Sequence, residues 1–193
     1  MKIKDVIFDK TVSIDSKTFF TDNLKQVVFI WRSNVWKSSL LNTIFNKKNL
    51  VKTSRTSGKT RTPNLFKVNN KYHFVDLPWY WFAKLWLENK QKIDNTISWY
   101  LDEFKFYIKK VVIILDARIW PTQSDIDMFK YIQELNLPLV FLLNKIDKLN
   151  KTETTKSILH SQEIFFWQLV IWVSALKKIW IEELNKELFS SFN

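Results

Sequence analysis

Glycine is nearly missing from this chain: Gly58 stands alone in 193 residues. Ordinary usage of about 7% would supply about 13. Turns, helix ends and close approaches to a ligand use the φ > 0 freedom that glycine alone has without cost. A folded chain with one glycine is therefore physically odd. Cysteine is absent altogether, which excludes disulfides and thiolate metal sites and suits a reducing cytoplasm. Long apolar runs are missing too. The stretches at 111–115, 139–143 and 164–173 are all shorter than the roughly 20 residues a membrane helix takes. The N-terminus mixes Lys and Asp with short apolar runs, unlike a signal peptide. Together these absences predict a cytoplasmic monomer with no membrane span, built as one globular domain over 1–193 with its core at about 24–190.

Tryptophan, by contrast, is abundant, with ten residues, and the charge is one-sided: 30 Lys+Arg against 19 Asp+Glu, a net +11. Such a balance points to a polyanionic partner such as RNA. An AT-rich genome gives the same excess of Lys, Asn, Ile and Phe. The basic residues are also dispersed rather than clustered, so composition alone leaves both explanations open.

Strand and helix signals alternate along the chain. Residues 26–30 form a short apolar run leading into the first loop, and 111–115, 139–143 and 169–173 read as buried parallel strands. Residues 65–68 and 72–75 flank the turn Asn69-Asn70-Lys71 and predict a hairpin. Residues 38–45, 88–108, 122–134, 152–161 and 181–189 carry helical periodicity, and 53–63 reads as a connection. This predicts a doubly wound α/β sheet, mostly parallel and six-stranded, with helices on both faces. His73 is expected on a strand and His160 near a helix end; two isolated histidines make no metal site. Phe104, Phe106 and Tyr107 are expected in the core, and Asp125 and Asp127 in the first turns of a helix. The last helix should show a mixed solvated face of Lys177, Lys178, Lys186, Glu182, Glu183 and Glu187.

Five loops carry chemistry. The first, Trp31-Arg32-Ser33-Asn34-Val35-Trp36-Lys37-Ser38-Ser39, is a G-x-x-x-x-G-K-[ST] phosphate loop with tryptophan in both glycine places. Its backbone amides from Asn34 to Ser39 would cradle phosphates at a helix N-terminus. Lys37 would reach the β- and γ-phosphates and the Ser38 hydroxyl would bind Mg²⁺. The second loop contributes Gly58, Lys59, Thr60, Arg61 and Thr62, with Thr60 as a further Mg²⁺ ligand. The third, Asp76-Leu77-Pro78-Trp79, fits D-x-x-G with the same exchange. There Asp76 would hold a metal-bound water, and the amide of Trp79 would sense the γ-phosphate. The fourth, Asn144-Lys145-Ile146-Asp147, fits N-K-x-D, whose carboxylate accepts from guanine N1–H and the exocyclic amine together. The fifth, Val173-Ser174-Ala175, would offer a backbone N–H to guanine O6. Lys37, Thr60 and Asp76 are the catalytic candidates.

Tryptophan is bulky and averse to φ > 0. Either this is a nucleotide-binding chain that has lost its ligand, or the letter W stands for glycine. Some bacterial lineages read UGA as glycine where another translation table reads tryptophan. Moving most tryptophans into the glycine column restores an ordinary count, so most are expected to be glycine in the living protein. The alternative is a chain truly rich in tryptophan, with Trp31, Trp36 and Trp79 crowding the nucleotide site.

With glycines restored, residues 31–42 become GRSNVGKSSLLN and residues 76–84 become DLPGYGFAK, and the chain resembles the EngB (YihA/YsxC) family of Ras-like GTPases. Asp116-Ala117-Arg118 and the helix start 176–180 also fit, and the likeness runs from about residue 3 to 190. Six of the ten tryptophans (31, 36, 79, 81, 120 and 180) lie where that family favours glycine, whereas Trp86, Trp99, Trp167 and Trp172 lie at less diagnostic places. The resemblance implies GTP and GDP binding with Mg²⁺ and slow hydrolysis, because Tyr80 stands where Ras-like enzymes carry glutamine. It also implies association with the large ribosomal subunit or its rRNA during assembly, and a link to cell division and septation. Asn34 occupies the position that binds an activating K⁺ in related GTPases, and could equally serve to structure its loop. If Trp31 and Trp36 are genuine, the alternative is a nucleotide-free pseudo-GTPase that binds rRNA through its basic surface.

Overall fold

The computed structural model describes residues 2–14, 22–31, 37–51, 62–78, 95–166, 168–190 and 192. Along the chain run β1 (Val6–Thr11), β2 (Lys25–Trp31), α1 (Lys37–Ile44), β3 (Asn64–Val68) and β4 (Tyr72–Asp76). There follow α2 (Asn95–Glu103), β5 (Ile108–Asp116), α3 (Gln123–Glu134), β6 (Leu139–Asn144), α4 (Lys151–Ile164), β7 (Val170–Trp172) and α5 (Ile181–Ser190). A single 3₁₀ turn, Ile146–Lys148, follows β6.

The strands form one sheet in the order β1-β3-β4-β2-β5-β6-β7. The β1–β3 and β3–β4 pairs are antiparallel. The pairs made by β2 with β4 and β5, β5 with β6, and β6 with β7 are parallel. Strand β2 shows why the sheet is covered on both faces. Val28 and Ile30 pack with Tyr100, Met128 and Phe129, while Val27, Phe29 and Trp31 pack with Leu40, Leu41, Leu184 and Leu188. Each alternate residue thus meets a different helix layer, as a strand buried on both faces requires.

The sheet has seven strands rather than the expected six. The extra strand, β1, was illegible because Ile7 and Phe8 are each 49% exposed, so its apolar residues mark an edge rather than a core. A register shift between Phe8 and Lys10 leaves Asp9 bulged out of the ladder. The helix expected over 88–108 corresponds to α2, which ends at Glu103; residues 88–94 lie outside the described residues. Ile108 instead opens β5. Phe104 is buried as expected, but Phe106 is 85% exposed on the turn between them. Helix α4 runs longer than expected, with Asn150 and Glu153 forming a reciprocal capping box that extends its start. Thr122 and Asp125 cap α3 in the same way. Glu187 does not belong to a solvated face: buried Lys110 of β5 pairs with its carboxylate, and its Nζ donates to the Glu187 carbonyl at 2.6 Å and to Ser190 Oγ at 2.9 Å.

Asparagine carries much of the left-handed backbone that glycine would otherwise supply. Asn46 follows α1, Asn136 follows α3, and Asn69-Asn70 make the β3–β4 turn, all with φ between 49° and 54°. Asparagine tolerates this region because its short amide can bond locally. Trp180, immediately before α5, also has φ 58°, and a bulky aromatic gains nothing there. The left-handed region costs such a residue about 1–2 kcal/mol. Trp180→Gly should raise the melting temperature by a few degrees, less whatever the edge contact between Trp172 and Trp180 at 6.0 Å contributes. An unchanged melting temperature would mean that this contact offsets the backbone cost in full.

Candidate functional site

In a parallel α/β sheet, ligands bind beyond the C-terminal ends of the strands. Here those ends are Trp31 of β2, Asp76 of β4, Asp116 of β5, Asn144 of β6 and Trp172 of β7. Four of the five sequence-expected loops leave from these ends, so the topology gathers residues that are far apart in the chain.

At the first loop, Trp31 is 6% exposed and its indole belongs to the layer formed with α1 and α5. Lys37 opens α1, and its Nζ lies 3.8 Å from the centre of the Trp31 ring, a cation–π contact. The indole therefore packs beneath Lys37 as part of the core rather than standing free in a loop. Arg32, Ser33, Asn34, Val35 and Trp36 lie outside the described residues. Ser38 and Ser39 are partly buried in the first turn of α1.

Lys37 forms an ion pair with Asp76 at the end of β4. The Asp76 carboxyl is shut away from water, so burial pushes it up to about 6 even though Lys37 opposes the shift. Burial likewise lowers Lys37, with Asp76 resisting. Asp76 Oδ2 takes the ammonium, while Oδ1 is buried with no hydrogen-bond partner among the described residues. Leu77 and Pro78 are buried beyond it, Leu77 N–H donating to Phe29 at 3.1 Å. Thr62 lies partly buried just before β3; Gly58, Lys59, Thr60, Arg61 and Trp79 lie outside the described residues.

At β6 and β7 the loops interlock. Asn144 Oδ1 accepts from the Lys145 amide at 2.8 Å and from the Ala175 amide at 3.2 Å. Ser174 Oγ donates to Asp147 Oδ1 at 2.6 Å, and the Asp147 side chain is 3% exposed. Ile146 N–H reaches the Val173 carbonyl at 3.3 Å. Lys145 takes φ 71° to turn the chain. These residues close a cavity of about 130 Å³ lined by Asn144, Lys145, Asp147, Ala175, Ser39 and Arg118. Asp147 gives it a carboxylate and Asn144 an amide, which suits a flat heterocycle with N–H donors. A roomier cavity of about 530 Å³ between Lys2, Ile44 and Ile181 contains none of the described residues of the five loops.

Two features were not assigned from the sequence. Asp116, at the end of β5, accepts from Arg118 and Lys145; the Asp116-Ala117-Arg118 string marked the position in the sequence but not this role. His73 is not isolated in the fold: its Nε2 lies 3.1 Å from Asp9 and 3.8 Å from Asp22. Lys67 Nζ sits 2.9 Å from the same Asp22 carboxylate, so polar side chains of β1, β3 and β4 meet around buried His73.

Burial alone would raise the Asp116 carboxyl, but hydrogen bonds from Arg118 and Lys145 hold it at about 2, below the ordinary 3.8. Its contribution to stability is present above pH 3.8 and is lost as pH falls through 2. Asp116→Asn should therefore remove about 1–2 kcal/mol of acid-labile stability, after allowance for the half-exposed Arg118. Urea unfolding at pH 4 and pH 2.5 reads this directly; equal acid sensitivity in both proteins would sink it.

The sequence pattern of the family described as "50S ribosome-binding GTPase" matches residues 26–145. Over 186 residues the chain is 38% identical to a probable GTP-binding protein EngB of Thermoanaerobacter pseudethanolicus, covering 95% of this chain and 96% of that one. It is 42% identical over 135 residues to the Lactobacillus helveticus protein of the same name, covering 70% of this chain and 68% of that one. The fold superposes on a crystal structure of a probable GTP-binding protein engB with a TM-score of 0.70 at 23% identity, covering 86% and 97% of the two chains. The chain belongs to the EngB family of P-loop GTPases, with the Ras-like fold of that class.

Proposed function

We propose that this chain is a single G domain that binds GTP and GDP, hydrolyses GTP slowly, and switches between two states during assembly of the large ribosomal subunit. On this reading it acts in the cytoplasm and is needed for normal division and septation. The observation that carries the proposal is the convergence of Lys37 and Asp76 at one end of the strand tips and the Asn144–Asp147 cavity at the other. That is the arrangement a nucleotide needs, phosphates against the lysine and base against the carboxylate.

Asp147 would accept from guanine N1–H and N2–H₂, with Asn144 bracing the two loops around it. Lys37 would exchange Asp76 for the β- and γ-phosphates. Mg²⁺ fits this setting, because buried Asp76 Oδ1 has no partner among the described residues. The hydroxyls of Ser38 and Thr60 would hold the ion directly and Asp76 through water; once bound, it neutralises charge on the phosphates. Ordering of the loops at 53–62 and 79–84 by the γ-phosphate would then create the ribosome-facing surface. The net charge of +11 favours that rRNA partner.

The same proposal requires glycine at positions 31, 36 and 79. The left-handed backbone at Trp180, one of the family's glycine positions, is consistent with such recoding. Peptide mass spectrometry on protein from native cells tests it. Trypsin cleaves after Arg32 and Lys37, releasing the peptide 33–37, and its fourth residue should weigh as glycine. A tryptophan mass there favours the pseudo-GTPase reading, for which the well-packed Trp31 is the supporting observation.

Asn34 is proposed to help bind K⁺. Hydrolysis should run faster in potassium than in sodium at equal ionic strength; identical rates would remove this role and leave Asn34 as a loop-structuring residue.

A further inference from the structure

We infer that Asp116 is a positioning residue for the nucleotide base, holding the side chains of Lys145 and Arg118 in place as two walls of the base cavity. The inference rests on the nucleotide-binding reading above and adds to it a residue that lines no part of the cavity. Asp116 is the last residue of β5 and is register-paired with Asn144, the last of β6. Its side chain is 3% exposed. Oδ1 accepts from the Arg118 amide at 3.1 Å and from Arg118 Nε at 2.9 Å. Oδ2 accepts from Arg118 Nη2 at 2.7 Å and from Lys145 Nζ at 2.9 Å.

Two cations thus converge on one carboxylate, and both line the cavity of about 130 Å³. Unaided, they would repel each other and swing into water, where the Arg118 side chain, 46% exposed, already has room to go. The paired fork on Asp116 fixes the guanidinium plane, and a planar guanidinium is suited to lie against the face of a purine. Lys145 leaves its left-handed backbone and its ammonium returns to Asp116. Ser157 Oγ donates to the Ala117 carbonyl at 2.8 Å, and the Ala117 amide donates to Asn144 at 2.8 Å. The turn carrying Arg118 is therefore held from both sides.

The test uses the chain carrying whichever residues mass spectrometry reads in the native protein, with GDP affinity measured by titration calorimetry. D116A should weaken GDP binding about tenfold, the weight of one charge-assisted hydrogen-bond set. D116N, which keeps the size of the side chain, guards against loss of the fold and should weaken it less. The readout that a purely structural residue would not move is coupling. D116A combined with R118A, or with K145A, should lose less affinity than the product of the two single losses. Full multiplicative losses, or parental affinity in a folded D116A, would overturn the inference while leaving the nucleotide reading intact. A parent chain that does not bind GDP would overturn that reading, and this inference with it.

Discussion

A chain synthesised with glycine at 31, 36 and 79 will bind GDP tightly, and the same chain with tryptophan at those positions will show no measurable binding. The expected difference exceeds about a thousandfold in Kd, or more than about 4 kcal/mol. Two effects combine. A phosphate loop encloses its ligand with backbone amides at close range, and glycine permits both the approach and the φ > 0 turns. An indole at position 31 also claims Lys37, whose ammonium lies 3.8 Å from the ring centre, and a lysine held there and on Asp76 is withdrawn from phosphate. Titration of both proteins with GDP, after circular dichroism shows equal helix content, decides the matter. Comparable affinities would mean that the loop tolerates indoles and that the recoding argument has lost its functional basis.

Asp147→Asn should weaken GTP and GDP binding by about a hundredfold, because a bidentate polar contact is replaced by one with a mismatched donor. The Asn144–Asp147 cavity gives this effect its size. Asp147 is almost wholly shielded from water and is oriented by Ser174 at 2.6 Å, so an amide there cannot relax toward solvent. A xanthine base carries a carbonyl where guanine carries its amine. The introduced amide could donate to it, and affinity for XDP should rise while that for GDP falls. Competition of GDP and XDP against a fluorescent nucleotide reads both changes at once. An unaltered preference for GDP would remove Asp147 from base recognition.

Much of the architecture was legible because its signals were local. The apolar runs of β5 and β6 read as buried strands, and Asn69-Asn70 announced the hairpin. The N-K-x-D loop is a contiguous string, so its residues are legible without the fold. Strand β1 was missed because an exposed edge strand carries no alternation to detect. The helix expected over 88–108 was drawn too far because 104–108 keeps apolar spacing through a turn. Glu187 looked like a surface residue because nothing in its own helix reveals Lys110 of β5.

The sequence by itself determined the order of strands and helices apart from β1, the five loop motifs, and the mismatch between ten tryptophans and one glycine. These depend on composition and on neighbours within a few positions. Only the tertiary structure decided that Asp116 supports Lys145 and Arg118, that Lys37 pairs with Asp76, and that Trp31 lies in the core beneath Lys37. Each of those contacts joins residues from different elements or depends on which way a side chain is turned by packing. Parallel strand order, rather than any local preference, is what brings the partners to one edge of the sheet.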